Sequence, residues 1–169
     1  MNAPSGPSAP TEVTETDLAM MARAIERARH AGSLGEVPIG AVVYVTETGE
    51  VLGEGSNTRE TERDPCGHAE LIAVRAASTA IGDWRLNHCS LAVTLEPCPM
   101  CAGAIVNARV GRVLYGAADP KAGAVRSLYT LLEDDRLNHR CAVIPGVEGD
   151  TCSALLTGFF RGLRERKGL

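Results

Sequence analysis

The sequence predicts an α/β fold, a mixed sheet sandwiched between helices, and three observations point there. Helical and extended periodicities alternate along the chain after a start that reads as a hairpin, the pattern of a sheet covered by helices. The chain has 169 residues, 44% of them apolar, which suits one domain with a sizeable core. Its chemically active residues gather where strands give way to helices, and in open sheets ligands sit beyond the carboxyl ends of strands.

Residues 1–16, MNAPSGPSAPTEVTET, are rich in Pro, Ser, Gly and Thr and read as a disordered lead-in to a folded domain over 17–169. Leu18, Met21, Ala22, Ile25 and Ala28 then recur at helical spacing, with Thr16 as the expected cap and Gly32 as the stop. Two strands follow at 39–46 and 51–56, joined by a turn at Thr48-Gly49. Residues 57–67 are polar, carry Pro65 and Gly67, and read as a loop. HAELIAVRAASTAI, from 68, reads as a helix and SLAVTLE (90–96) as a compact apolar strand. PCPMCAGAIVNAR opens with proline and thiols and continues as a helix; 110–117 is a further strand. Residues 125–134 are expected to be helical, 141–145 a short strand, and 151–166 an amphipathic helix. Leu155, Leu156, Phe159, Phe160 and Leu163 form its expected core-facing stripe.

Charge excludes little. The net charge is −4, and Glu12, Glu15 and Asp17 carry −3 of it, so subtraction leaves −1 for the body. Nucleic-acid binding would therefore need a local basic patch, and Arg161, Arg164, Arg166 and Lys167 form the clearest one. No apolar run is long enough to span a bilayer, so no membrane association is expected. The N-terminus has neither a basic n-region nor an apolar h-region, which makes the cytoplasm the expected compartment. In that compartment the six cysteines are expected as thiols or metal ligands rather than disulfides.

Cys98 and Cys101 lie three apart at a helix start, so both sulfurs can reach one point, and the helix N-terminus favours thiolates there. His68 opens another helix and completes a set of ligands suited to zinc, leaving a fourth position for water. Glu70, two residues on, is placed to move that water's proton. A CxxC alone also fits a redox pair. A structural zinc would need a fourth ligand, for which Cys66, Cys89 and His88 qualify by type, and it leaves Glu70 unexplained. His68-Ala69-Glu70 followed by Pro97-Cys98-Pro99-Met100-Cys101 is the H-x-E…P-C-x-x-C pattern of zinc deaminases. Pro97 follows Glu70 by 27 positions, room for one helix and one strand.

From about Leu18 to Lys167 the chain resembles the bacterial tRNA adenosine deaminases of the cytidine deaminase superfamily. The resemblance is carried by EVPIGAVV, GEGSN, DPCGHAE, DWRL, VTLEPCPMCAGAI, RVGRVLYGAADPKAGAVRSL, LNHR and FFRGLR. It implies a three-layer cytidine deaminase-like fold with a five-stranded mixed sheet. It implies conversion of the wobble adenosine of a tRNA anticodon stem-loop to inosine by a homodimer with one Zn2+ per subunit. His68, Cys98 and Cys101 would hold the metal, and Glu70 would shuttle the proton. Asn57 would hydrogen-bond the purine, Asp119 would approach the target sugar, and Asn138 and Arg161 would lie near the anticodon loop. Free-base deaminases, such as those of guanine, also carry PCPMC, so a free purine base or nucleoside remains an alternative substrate. A non-catalytic zinc-stabilised RNA-binding subunit is a second alternative, and the presence of Glu70 argues against it. Cys66 answers to no requirement of the family.

Overall fold

A computed structural model describes residues 12–168. In chain order the elements are α1 (Glu15–Ser33), β1 (Gly40–Val45), β2 (Val51–Ser56), α2 (Ala69–Ile81) and β3 (Cys89–Leu95). They continue as α3 (Pro99–Asn107), β4 (Arg112–Ala117), β5 (Ala142–Pro145) and α4 (Gly149–Lys167). The expected disordered lead-in lies, as far as residue 11, outside the described residues. Helix α1 begins at Glu15, and its cap is Thr14 rather than Thr16. The Thr14 hydroxyl accepts from Asp17 N while the Asp17 carboxylate accepts from Thr14 N, a reciprocal capping box. The helix runs past Gly32 to Ser33, with Leu34 as its C-cap.

The sheet is five-stranded and mixed, in the order β2-β1-β3-β4-β5. β1 pairs antiparallel with both β2 and β3, and β3, β4 and β5 are parallel. Two antiparallel steps make β2 parallel to β3, so the carboxyl ends of β2, β3 and β4 open on one edge of the sheet.

Period-2 alternation divides the strands between two cores. Val43, Leu91, Val93 and Val113 face α2 and α3, together with Ala73, Ala77, Ala102 and Ile105. Val42, Ala92 and Leu114 face α1 and α4, together with Met21, Ala24, Ile25 and Cys152. The result is three layers. Leu18, expected in the α1 stripe, points outward and is 45% exposed. Helix α2 lies unusually close to β2, because Gly55 has no side chain: a Cβ there would fall 2.0 Å from the Ala69 carbonyl oxygen.

One expected element is absent. Residues 125–134 form turns, not a helix. The Leu128 N–H donates to the Gly123 carbonyl and the Leu131 N–H to the Ala124 carbonyl, five and seven positions back rather than the helical four, and the amides of Val125, Arg126 and Ser127 donate to the Glu96 carboxylate. The α4 stripe is also only partly in the core. Leu155 and Leu156 pack there, Phe159 is half-buried, and Phe160 is exposed.

Candidate active site

The open edge of the sheet gathers two helix starts. His68 is the N-cap of α2 and Cys98 the N-cap of α3; both have extended backbone and neither makes a side-chain cap bond. Pro99 fills the first turn of α3, where a missing N–H costs nothing, and Cys101 follows one turn from Cys98. The His68 Nδ1 atom lies 3.7 Å from Cys98 Sγ and 3.4 Å from Cys101 Sγ. Ligand atoms of the three residues all lie within 4.8 Å of one another. Tetrahedral zinc with bonds of about 2.0–2.1 Å to nitrogen and 2.3 Å to sulfur would separate N and S by roughly 3.6 Å. Both distances from His68 match that spacing, so the donor set fits such an ion.

Electrostatics agree with a cation seat. The Cys98 thiol is held down to about 4, chiefly by the hydrogen bond from Cys101, with burial opposing and His68 assisting. The hydrogen bond to Cys98 and burial raise the Cys101 thiol, and the Cys98 contact raises His68 against the effect of burial. Protons are thus shared among groups that a metal would hold deprotonated. Glu70 is buried beside them, and burial pushes its carboxyl up to about 7, against its backbone hydrogen bond and the neighbouring His68.

His68, Glu70 and Cys98 line a cavity of about 770 Å³. Asn57 forms part of its wall, Asp119 and Lys121 another part, and Phe160 and Arg164 come from α4. Arg59 adds a third cation. Arg161 is exposed on α4 and does not line the cavity. Asn138 lies elsewhere: its carbonyl accepts from Arg109 Nη1 at 2.6 Å, just beyond the C-terminus of α3, at the opposite end of that helix from Cys98. Cys66 is exposed and outside the His-Cys-Cys group.

Two buried carboxylates shape the cavity walls, and sequence reasoning gave neither a role. Glu96, at the end of β3, accepts from the N–H groups of Asp119 (3.0 Å), Val125, Arg126 and Ser127 and from the Ser127 hydroxyl. Burial alone would raise its carboxyl, but the Ser127 hydroxyl and those amides outweigh it and hold Glu96 near 2. Glu36, fully buried before β1, accepts from the N–H of Glu60 and Thr61 and from Asn57 Nδ2. The available signal was a single acid inside EVPIG and another inside LEPC, each a charge in an apolar run.

The MafB19-like deaminase family model matches residues 15–164. The tRNA-specific adenosine deaminase of Bacillus subtilis is 46% identical over 155 residues, covering 92% of this chain and 94% of its own. That of Haemophilus influenzae is 44% identical over 154 residues, covering 91% of this chain and 88% of its own. A solved structure from work on tRNA:A34 deaminases, which carry out A-to-I editing at the wobble position of transfer RNA, superposes with a TM-score of 0.77. It is 40% identical, covering 82% of this chain and 99% of that one. A guanine deaminase from Nitrosomonas europaea shares the fold, with a TM-score of 0.73 at 22% identity, covering 88% of this chain and 86% of that one.

Proposed function

This chain belongs to the MafB19-like deaminase family and groups with the tRNA-specific adenosine deaminases, and on that premise we propose that it deaminates adenosine at the wobble position of a tRNA anticodon, leaving inosine and ammonia. The observation that carries the reading is Glu70, buried beside the His68-Cys98-Cys101 group at a cavity with a cationic rim. Zinc held by those three residues, one per chain, would supply Lewis-acid activation of water. Glu70 takes a proton from the attacking water and delivers it to N1 of the ring, then takes the second proton of the added oxygen and passes it to the amine, which departs as ammonia and leaves the oxygen on C6. Its burial excludes bulk water and raises its proton affinity, which suits both directions of transfer.

Asn57 hydrogen-bonds the purine, and Asp119 approaches the sugar. Arg59, Lys121 and Arg164 meet the phosphates of a stem-loop whose target base is already unpaired and inexpensive to extrude. Arg161 extends that cationic surface along α4. Asn138 lies outside the cavity and has no part in binding the target nucleotide. A homodimer is supported by exposed Met100, Leu128 and Tyr129, carried by the first turn of α3 and by the segment whose Ala124 N–H donates to the Pro97 carbonyl. No described helix is long and apolar enough to cross a membrane, and we place the enzyme with its tRNA in the cytoplasm.

Glu70→Ala tests the mechanism. The variant should keep its zinc by metal analysis while inosine formation in an anticodon stem-loop falls by about 10²–10⁴-fold or more. Wild-type turnover in that variant would refute the role. Free guanine and free adenosine, assayed beside the stem-loop, should release far less ammonia than the stem-loop does.

A further inference from the structure

We propose that Glu36 is a positioning residue that fixes the orientation of the Asn57 amide, and so makes the cavity read the purine edge bearing the 6-amino group and N7. The inference rests on the deaminase reading above and adds a residue to it. Every contact of Glu36 is with a donor. Its Oε1 accepts from Glu60 N at 2.9 Å and Thr61 N at 2.6 Å, and its Oε2 accepts from Asn57 Nδ2 at 3.2 Å. Both residues are buried, with Glu36 fully inaccessible and Asn57 in the cavity wall.

An accepting carboxylate decides which end of an amide meets it. The end against Glu36 is the NH2 group, and Oδ1 has no hydrogen-bond partner among the described residues. One Nδ2 hydrogen is engaged by Glu36, which leaves the second hydrogen next to a free Oδ1. A donor beside an acceptor, held on one planar group, matches the N7 acceptor and N6–H donor of adenine, the pairing by which Asn reads adenine in the major groove. The product carries an oxygen at C6, so the same orientation sets two acceptors against each other and favours release. The bonds from Glu60 and Thr61 anchor Glu36 to the loop that leads to His68, which ties the purine reader and the metal site to one support. A glutamine at position 36 keeps the volume but offers a donor or an acceptor, and Asn57 is then free to turn over.

The test compares two anticodon stem-loops, one with adenosine and one with 7-deazaadenosine at the target position, which differ only at the ring atom N7. Affinities are measured on the zinc-loaded Glu70→Ala chain, with and without Glu36→Gln. With Glu36 present, the 7-deaza probe should bind about tenfold more weakly. With Glu36→Gln that ratio should fall to about one, adenosine losing the difference and the 7-deaza probe staying within about twofold. A preserved ratio, equal weakening of both probes, or no discrimination with Glu36 present overturns the proposal, and equal weakening would mark Glu36 as merely structural. Inosine formation by the wild-type chain reports separately on the deaminase reading. If Glu36→Gln fails to fold, the side-chain amide signal of Asn57 in the wild-type chain decides, identified by its loss in Asn57→Ala. One of its two protons should be protected from solvent exchange, and two rapidly exchanging protons overturn the inference.

Discussion

Three side chains form the candidate zinc site, and each contributes a different constraint. His68 and Cys98 are caps, so their backbones sit outside the helices they start, while Cys101 is locked inside the first turn of α3. Removing the thiolate of Cys101 takes away a soft ligand and leaves two. Cys101→Ser is therefore expected to lower zinc affinity by more than the roughly 10–100-fold seen when only an outer partner of a metal site is lost. Competition with a chromophoric chelator measures it. Cys66→Ser, two residues from His68 but exposed and outside the group, should keep one zinc per chain. If the two substitutions behaved alike, Cys66 would have to be counted among the ligands.

The candidate site was legible in the sequence because each of its two pairs is local, Cys98 and Cys101 at i and i+3 and His68 with Glu70 as a cap and the second helical residue, and the H-x-E…P-C-x-x-C pattern joins the pairs across 30 positions. Glu36 and Glu96 were not, because the backbone amides that donate to them are 23 to 31 positions away, and no short pattern encodes such contacts. The same cause explains the missing helix at 125–134. Its apolar spacing was helical, but the Leu128 and Leu131 amides donate to the carbonyls of Gly123 and Ala124, five and seven positions back, and Glu96 holds the amides before them from across the fold. The strands were legible as short apolar runs, whereas their order, their division between two cores and the outward turn of Leu18 and Phe160 depended on neighbours in space. At the scale of elements, the closeness of α2 to β2 is what aims His68 and Glu70. Gly55→Ala would drive a methyl group into the Ala69 carbonyl and push the start of α2 off the sheet. It should cost about 1–3 kcal/mol or more in urea unfolding and weaken zinc binding with it. Gly158→Ala, inside α4 with open space around the new carbon, should instead stabilise the chain by about 0.5–1 kcal/mol. Equal effects at the two glycines would contradict this account of how α2 is seated.

The molecule as a whole separates its chemistry from a buried ion pair. The amino-terminal starts of β3 and β4 lie at the sheet edge opposite the cavity, and there Arg112 is buried against Asp17 through two contacts of 2.7 Å. The Tyr44 hydroxyl donates to the same carboxylate, and Arg112 Nη2 also donates to the Glu12 carbonyl at 2.7 Å, which fastens the segment before α1 to the sheet. Burial on its own would raise the Asp17 carboxyl, but Arg112, Tyr44 and Thr14 outweigh it and lower it from 3.8 to about 2. A carboxylate depressed on folding contributes stability that is full above its unfolded value and lost as the pH falls through its folded value. The window is therefore pH 3.8 down to about 2, and the contribution at neutral pH is about 2 kcal/mol. Asp17→Asn removes the carboxylate from a buried ion pair and should lose about 3–5 kcal/mol at pH 7. Its stability should then fall less steeply than that of the wild type between pH 4 and pH 2, since the titrating group is gone. Urea unfolding at a series of pH values measures both slopes, and parallel slopes would mean that Asp17 does not carry the acid sensitivity. Because this network is at the far edge from the cavity, zinc content at pH 7 should be unchanged in whatever fraction of the variant remains folded.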